Sequence, residues 1–299
     1  MLVKNNWLKT NIRDRLEDEN SKVRIWARPE TFDTNISFED AACKAAKDIK
    51  YFSKEYKRPL YVTLSGGADS DLVVKALVEN DVSFRPITMI CLGASGKIAN
   101  DQELLYAYHT MRKYKINPIK MTLPWYEMLR IWRQYILPIR GNGFLCGTVV
   151  KCNEFITAQN NNGILITSVN GIGGTNSEGK AYAGVYEFDF YGDVFFGPGR
   201  EIPFHLYSPE IFYATVDHLK YGYDEADFKH TLYGTEWRPK LDYKYEKQMY
   251  LMITELKKGK TINTIEYLIL EKNNPAVLME KLKSFGEEHE IQITLQDTI

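Results

Sequence analysis

The stretch YVTLSGGADSD, residues 61–71, places Ser65, Gly66, Gly67, Asp69 and Ser70 within six positions. Hydroxyls, exposed main-chain N–H groups and one carboxylate at this spacing suit a turn that holds phosphate and a counter-ion. Gly66 and Gly67 reach backbone angles barred to other residues and let a ligand approach the main chain closely. Asp69 and Ser70 fall at the start of a segment whose apolar residues, Leu72, Val73, Ala76 and Leu77, have helical spacing. A helix starting here points its N–H groups and the positive end of its dipole into the space above the glycines, which is how proteins bind phosphate. The plainer alternative is an ordinary tight turn with Asp69 or Ser70 as a helix cap. A strand of β-formers before the turn and a helix after it favour the phosphate reading.

Two other glycine-rich stretches fail as phosphate signatures. CLGASGKIA would need glycine where Cys91 stands and a hydroxyl where Ile98 stands. GIGGTN has Asn176 in place of the last glycine of a dinucleotide fingerprint.

The order S-G-G-x-D-S resembles the PP-loop of the ATP pyrophosphatase superfamily, with every fixed position matched by Ser65, Gly66, Gly67, Asp69 and Ser70. That superfamily includes the ATP-handling domains of asparagine, argininosuccinate, GMP and NAD synthetases, tRNA thiolation enzymes and 7-cyano-7-deazaguanine synthases. The resemblance implies an enzyme that uses ATP and Mg²⁺. A substrate oxygen attacks the α-phosphate, pyrophosphate leaves, and a nucleophile captures the adenylated intermediate. Ser65, Gly66, Gly67 and Ser70 would donate to the pyrophosphate, and Asp69 would act in catalysis as the magnesium ligand. Lys151, on the helix before the fourth strand, would supply the catalytic cation that faces the phosphates. Main-chain groups near Ile90 and Cys91, at the end of the second strand, would read adenine.

The elements that must position these groups follow from periodicity. Ser37 and Asp40 form a capping arrangement for a helix over 38–56, with Ala41, Ala45, Ile49 and Phe52 on one face. Strands are expected at 60–64, 85–92, 118–123 and 163–171, and helices at 101–114, 125–135 and 148–159. Strands alternating with helices predict a doubly wound parallel α/β sheet, and the resemblance implies the adenine nucleotide alpha hydrolase-like version of it. The expected organisation is an N-terminal extension over 1–36, an ATP-binding domain over 37–180 and a substrate or lid region over 181–299. The last region is read as mostly helical and aromatic-rich. Eleven of the twenty tyrosines lie between 181 and 250, forming either a substrate pocket or a small aromatic core. VYEFDFYGDVFF alternates like a hairpin around YGD, Ser208 with Pro209 reads as a helix start, and Gly234 and Gly259 as helix stops.

Further candidates are weaker. Arg238 and Lys240 beside Trp237 form a second basic pair, and Glu178, Glu187 and Asp189 are candidate second magnesium ligands or hairpin surface. Asp101 and Glu103 are read as stabilising a helix start, and the five histidines show no ligand spacing.

Composition bounds the rest. A net charge of −1 gives no global electrostatic argument for nucleic acid or membrane, and no apolar run suggests a span or leader. A cytoplasmic protein is expected. Four cysteines in a chain this long form no disulfide framework and no paired zinc spacing. The favoured reaction installs nitrogen on a small-molecule acceptor, loosely in the manner of the asparagine-synthetase branch. With about 60 residues before the motif, and Leu2 after Met1, ammonia is expected free or from a separate glutaminase. The rival readings are a nucleotide-binding module without turnover, and sulfur transfer or a phosphoadenylylsulfate reductase-like reaction through Cys146 or Cys152. Those cysteines, six apart, would point about 120° apart on a helix.

Overall fold

The computed structural model describes residues 8–10, 25–27, 35–92, 98–131, 134–135, 146–159, 162–168, 174–175, 181–182, 191–197, 199–212 and 214. Near the N-terminus β1 (Leu8–Thr10) and β2 (Ile25–Ala27) pair antiparallel. Helix α1 (Phe38–Glu55) opens as its sequence dictates. The Ser37 hydroxyl accepts from the Asp40 N–H at 3.1 Å, and Ala41, Ala45 and Ile49 line the buried face.

The chain then alternates through β3 (Leu60–Thr63), α2 (Ala68–Glu79), β4 (Arg85–Leu92), α3 (Asp101–Tyr114), β5 (Ile119–Pro124), α4 (Trp125–Ile131), α5 (Cys146–Ala158) and β6 (Ile164–Thr167). A short ribbon of β7 (Gly174–Thr175) and β8 (Ala181–Tyr182) follows, then α6 (Tyr191–Phe196) and β9 (Glu201–Pro203). Five strands form one parallel sheet in the order β5-β4-β3-β6-β9. The chain winds outward from β3 to β5, returns to the other side of β3 and continues outward to β9. This is a doubly wound α/β fold, and its winding reverses between β3 and β6. Such a reversal leaves a crevice at the carboxyl ends of the two strands.

Both faces of the sheet are covered. Leu60, Val62, Leu64, Ile164 and Ile166 share a cluster with α1 and α2 side chains such as Ile49, Val73 and Leu77. Tyr61 points the other way, edge-on to Phe155 of α5 at 6.5 Å. Burial on both faces explains why β6, ILIT, opens on three consecutive apolar residues rather than alternating. At the strand starts, the buried Arg58 guanidinium donates to the carbonyls of Asn162 and Gly163 and ties β3 to β6.

Two expectations are corrected. The sheet extends beyond residue 180, because β9 pairs with β6 and supplies the fifth strand. The YGDVFF half of the expected hairpin is a short helix, α6, and not a strand. Its Gly192 N–H donates to the buried Glu201 carboxylate at 2.7 Å, and a Cβ at position 192 would overlap that carboxylate. This single contact outweighs local alternation. The helix start at Ser208 is present: its hydroxyl accepts from the Ile211 N–H at 3.4 Å, and residues 209–212 are helical. Gly234, Trp237, Arg238, Lys240, Gly259, Glu178, Glu187 and Asp189 lie outside the described residues, as does most of the tyrosine-rich region. Among the described residues no helix is long and apolar enough to cross a membrane.

Candidate functional site

The motif turn leaves the sheet at the carboxyl end of β3, beside the crevice between β3 and β6. Its last strand rung is the Leu64 N–H to the Ile87 carbonyl at 2.8 Å. Gly66 has φ +93°, a conformation that residues with a Cβ rarely adopt. It also lets the turn press against α3: an added Cβ would clash with the Glu103 carbonyl and lie 2.6 Å from the Ala107 nitrogen. Gly67 has φ −71° and ψ 163°, open to any residue, and is the N-cap of α2.

The two serines do different work. Ser70 is 1 % exposed. Its hydroxyl accepts from the Gly66 N–H at 3.1 Å and donates to the Gly67 carbonyl at 3.0 Å, which pins the turn shut. Ser70 and the Gly66 N–H are thus bonded to each other within the turn. Ser65 is exposed at the mouth. Its hydroxyl accepts from the Gly67 N–H at 3.4 Å and donates to Ser70 Oγ at 3.3 Å, both long bonds, so an incoming phosphate oxygen can take over its proton.

Asp69, 22 % exposed, stands in the first turn of α2. Facing it is a residue that the sequence left without a role. His205 lies in the helical turn Phe204–Leu206 after β9, is buried, and sets its Nε2 3.8 Å from Asp69 Oδ1. No spacing pattern links positions 69 and 205. They meet because β9 is two strands from β3 in the sheet order.

Lys151 is placed otherwise than expected. Its ammonium pairs with Glu127 of α4, in a chain continued by Arg130 and Glu154, whose closest atoms are 2.8 Å apart. The carboxylate holds the cation between α4 and α5, and Lys151 does not line the cavity at the motif. Cys91 and Ile90 also differ from expectation. β4 runs on past the end of β3, and the Asn100 side chain takes the place of the missing strand. Its Oδ1 accepts from the Cys91 N–H at 2.9 Å and its Nδ2 donates to the Met89 carbonyl at 2.9 Å. The Cys91 carbonyl accepts from the Ala99 N–H, and Ile90 pairs with Thr122 of β5. The main-chain edge expected to read adenine is occupied from within the protein.

Asn100 is the N-cap residue of α3 but makes no side-chain cap bond, because its amide is spent on β4. Below it lies a cavity of about 80 Å³ bounded by Ser65, Met89, Asn100, Glu103, Thr148 and Cys152, among others. Burial pushes the Glu103 carboxyl up to about 7, partly offset by a hydrogen bond from Asn100. Cys152 forms no disulfide, and burial, with the Glu201 carboxylate nearby, drives its thiol up to about 12 despite Lys151. Of Cys146 only its place, as the first residue of α5, is described.

No family model and no curated protein matches the sequence. Among solved structures, the chain aligns with NMN synthetase from Francisella tularensis at 14 % identity, over 89 % of this chain and 100 % of that one, with a TM-score of 0.36. It aligns with NH3-dependent NAD synthetase from Campylobacter jejuni at 12 % identity, over 88 % and 99 %, with a TM-score of 0.36. With the U34-tRNA thiolase from Methanococcus maripaludis the values are 14 %, 88 %, 82 % and 0.37. Scores this low leave the weight on the chain's own turn and sheet. In motif and in fold class, the chain resembles the PP-loop ATP pyrophosphatases. The resembling turn, Ser65 to Ser70, is set at the point where the winding of the sheet reverses.

The residues fit a magnesium nucleotide. Among the described residues no group of three or more His, Cys, Asp or Glu is disposed to hold a metal ion. Magnesium, however, takes one or two carboxylates together with phosphate oxygens and water. Asp69 at the opening of the turn meets that requirement, with Ser65 and the start of α2 left for the phosphates.

Proposed function

We propose that this protein is a magnesium- and ATP-dependent enzyme of the AMP-forming synthetase type. The observation that carries the reading is the placement of S-G-G-x-D-S at the carboxyl end of β3, beside the crevice where the sheet reverses. There the start of α2 and the Ser65 hydroxyl would meet incoming phosphate, and Asp69 would hold a magnesium ion, which would neutralise charge on the leaving group. The reaction is attack of a small-molecule substrate oxygen on the α-phosphorus, with the α–β bridging bond breaking and pyrophosphate departing. A nitrogen nucleophile then displaces AMP from the activated substrate. Donors fixed before the reaction stabilise the developing charge without reorganising, which is the largest contribution such a site makes.

Sulfur transfer through Cys152 is not supported. A thiolate is the nucleophile in such chemistry, and a thiol held near 12 is almost wholly protonated at neutral pH. The test is to incubate the protein with Mg-ATP and a metabolite pool and identify the nucleotide product. AMP with pyrophosphate is expected; ADP with phosphate refutes the reading.

A further inference from the structure

The cavity beside the motif has a defined size and chemistry. Its wall joins the phosphate turn, at Ser65, to the start of α3, at Asn100 and Glu103. A nucleotide whose phosphates sit on the turn therefore brings the group next to them, its sugar, beside this wall. The wall also carries a carboxyl, Glu103, and an amide, Asn100, which bonds β4 through both its ends and hydrogen-bonds Glu103 as well.

We infer that Glu103 is a specificity-determining residue that hydrogen-bonds the sugar hydroxyls of the nucleotide. The inference rests on the nucleotide reading above. Three observations support it. The α3 backbone at Glu103 is packed against Gly66, so its side chain starts from a point fixed relative to the phosphate turn. Glu103 lines the cavity, and its half-buried carboxyl takes a hydrogen bond from Asn100. Asn100 occupies the neighbouring strand edge, which leaves side chains instead of main chain to read the ligand. A carboxyl raised to about 7 by burial keeps a substantial protonated fraction at neutral pH, and that form both donates and accepts hydrogen bonds beside the phosphates.

Titration calorimetry with ATP and with 2′,3′-dideoxy-ATP tests this in wild type, E103A and E103Q. Wild type is expected to prefer ATP by roughly tenfold or more, the scale of a hydrogen bond to a carboxyl group. In E103A the two nucleotides should bind within about threefold of each other, and E103Q should fall between. Each ratio is taken within one protein, so a change in stability cancels, and E103Q keeps the shape of the side chain if E103A folds poorly. An undiminished preference in E103A, or none in wild type that binds ATP, overturns the role of Glu103 alone. Failure of wild type to bind ATP at all overturns the nucleotide reading and the inference with it.

Discussion

Gly66→Ala is the sharpest test of how the turn is built. The position has φ +93°, which costs a residue with a Cβ about 1–2 kcal/mol. The new methyl would also meet main chain of α3, the Glu103 carbonyl and the Ala107 nitrogen, neither of which can rotate away. Overpacking of this kind costs about 1–3 kcal/mol, for a sum of about 2–5 kcal/mol against a total stability of about 5–15 kcal/mol. At about 2–4 °C per kcal/mol for a domain of this size, the midpoint of thermal unfolding should fall by about 10 °C. Circular dichroism on heating reads the shift. Gly67→Ala is the matched control: φ −71° suits alanine, and only the N-cap preference is lost, under about 1 kcal/mol. A midpoint for Gly66→Ala within about 2 °C of wild type would show that α3 does not press on the turn in solution.

Five further outcomes follow from the site. Ser70→Ala should cost about 1–3 kcal/mol in urea unfolding, because it strips a buried hydroxyl from the turn; Ser65→Ala should leave stability unchanged and lower pyrophosphate release about 10- to 1000-fold. Asp69→Asn should abolish pyrophosphate release in a folded protein; near-normal release would remove Asp69 as the metal ligand. Glu103 is raised from 4.5 to about 7, so the folded state binds this proton more tightly than the unfolded chain. Its contribution is therefore fully present below pH 4.5 and lost as pH rises to about 7, and E103Q should flatten that part of the stability profile. Cys152 should resist iodoacetamide at pH 8 until the protein unfolds, as read by mass spectrometry.

The parts of the fold that local chemistry decides were legible in the sequence. The Ser37 cap, the strand–turn–helix of the motif and the alternation of strands and helices each follow from residues within a few positions of one another. The reverse holds for what was missed. His205 reaches Asp69 only through strand order. Glu103 looks like a helix-start carboxylate by position, and only the tilt of α3 against Gly66 turns it toward a cavity. Lys151 lies on α5, as its spacing suggests, but nothing in CGTVVKCNEF reveals that Glu127, on another helix, pairs with it. Tyr191–Phe196 follows a strand pattern yet coils, because a buried carboxylate ten positions from its start needs the Gly192 N–H.

Asn100 has a consequence for how the crevice can be watched. An amide inside a sheet exchanges its hydrogen with solvent when strands separate, an event that involves many residues at once. The Cys91 amide is different, because a single side-chain torsion at the beginning of α3 is enough to uncover it. It is a one-residue latch on the crevice floor, and its exchange rate reports that rotamer while its neighbours along β4 report the sheet. Comparing the two in one experiment separates a breathing motion of the crevice mouth from unfolding of the domain, without any label being added.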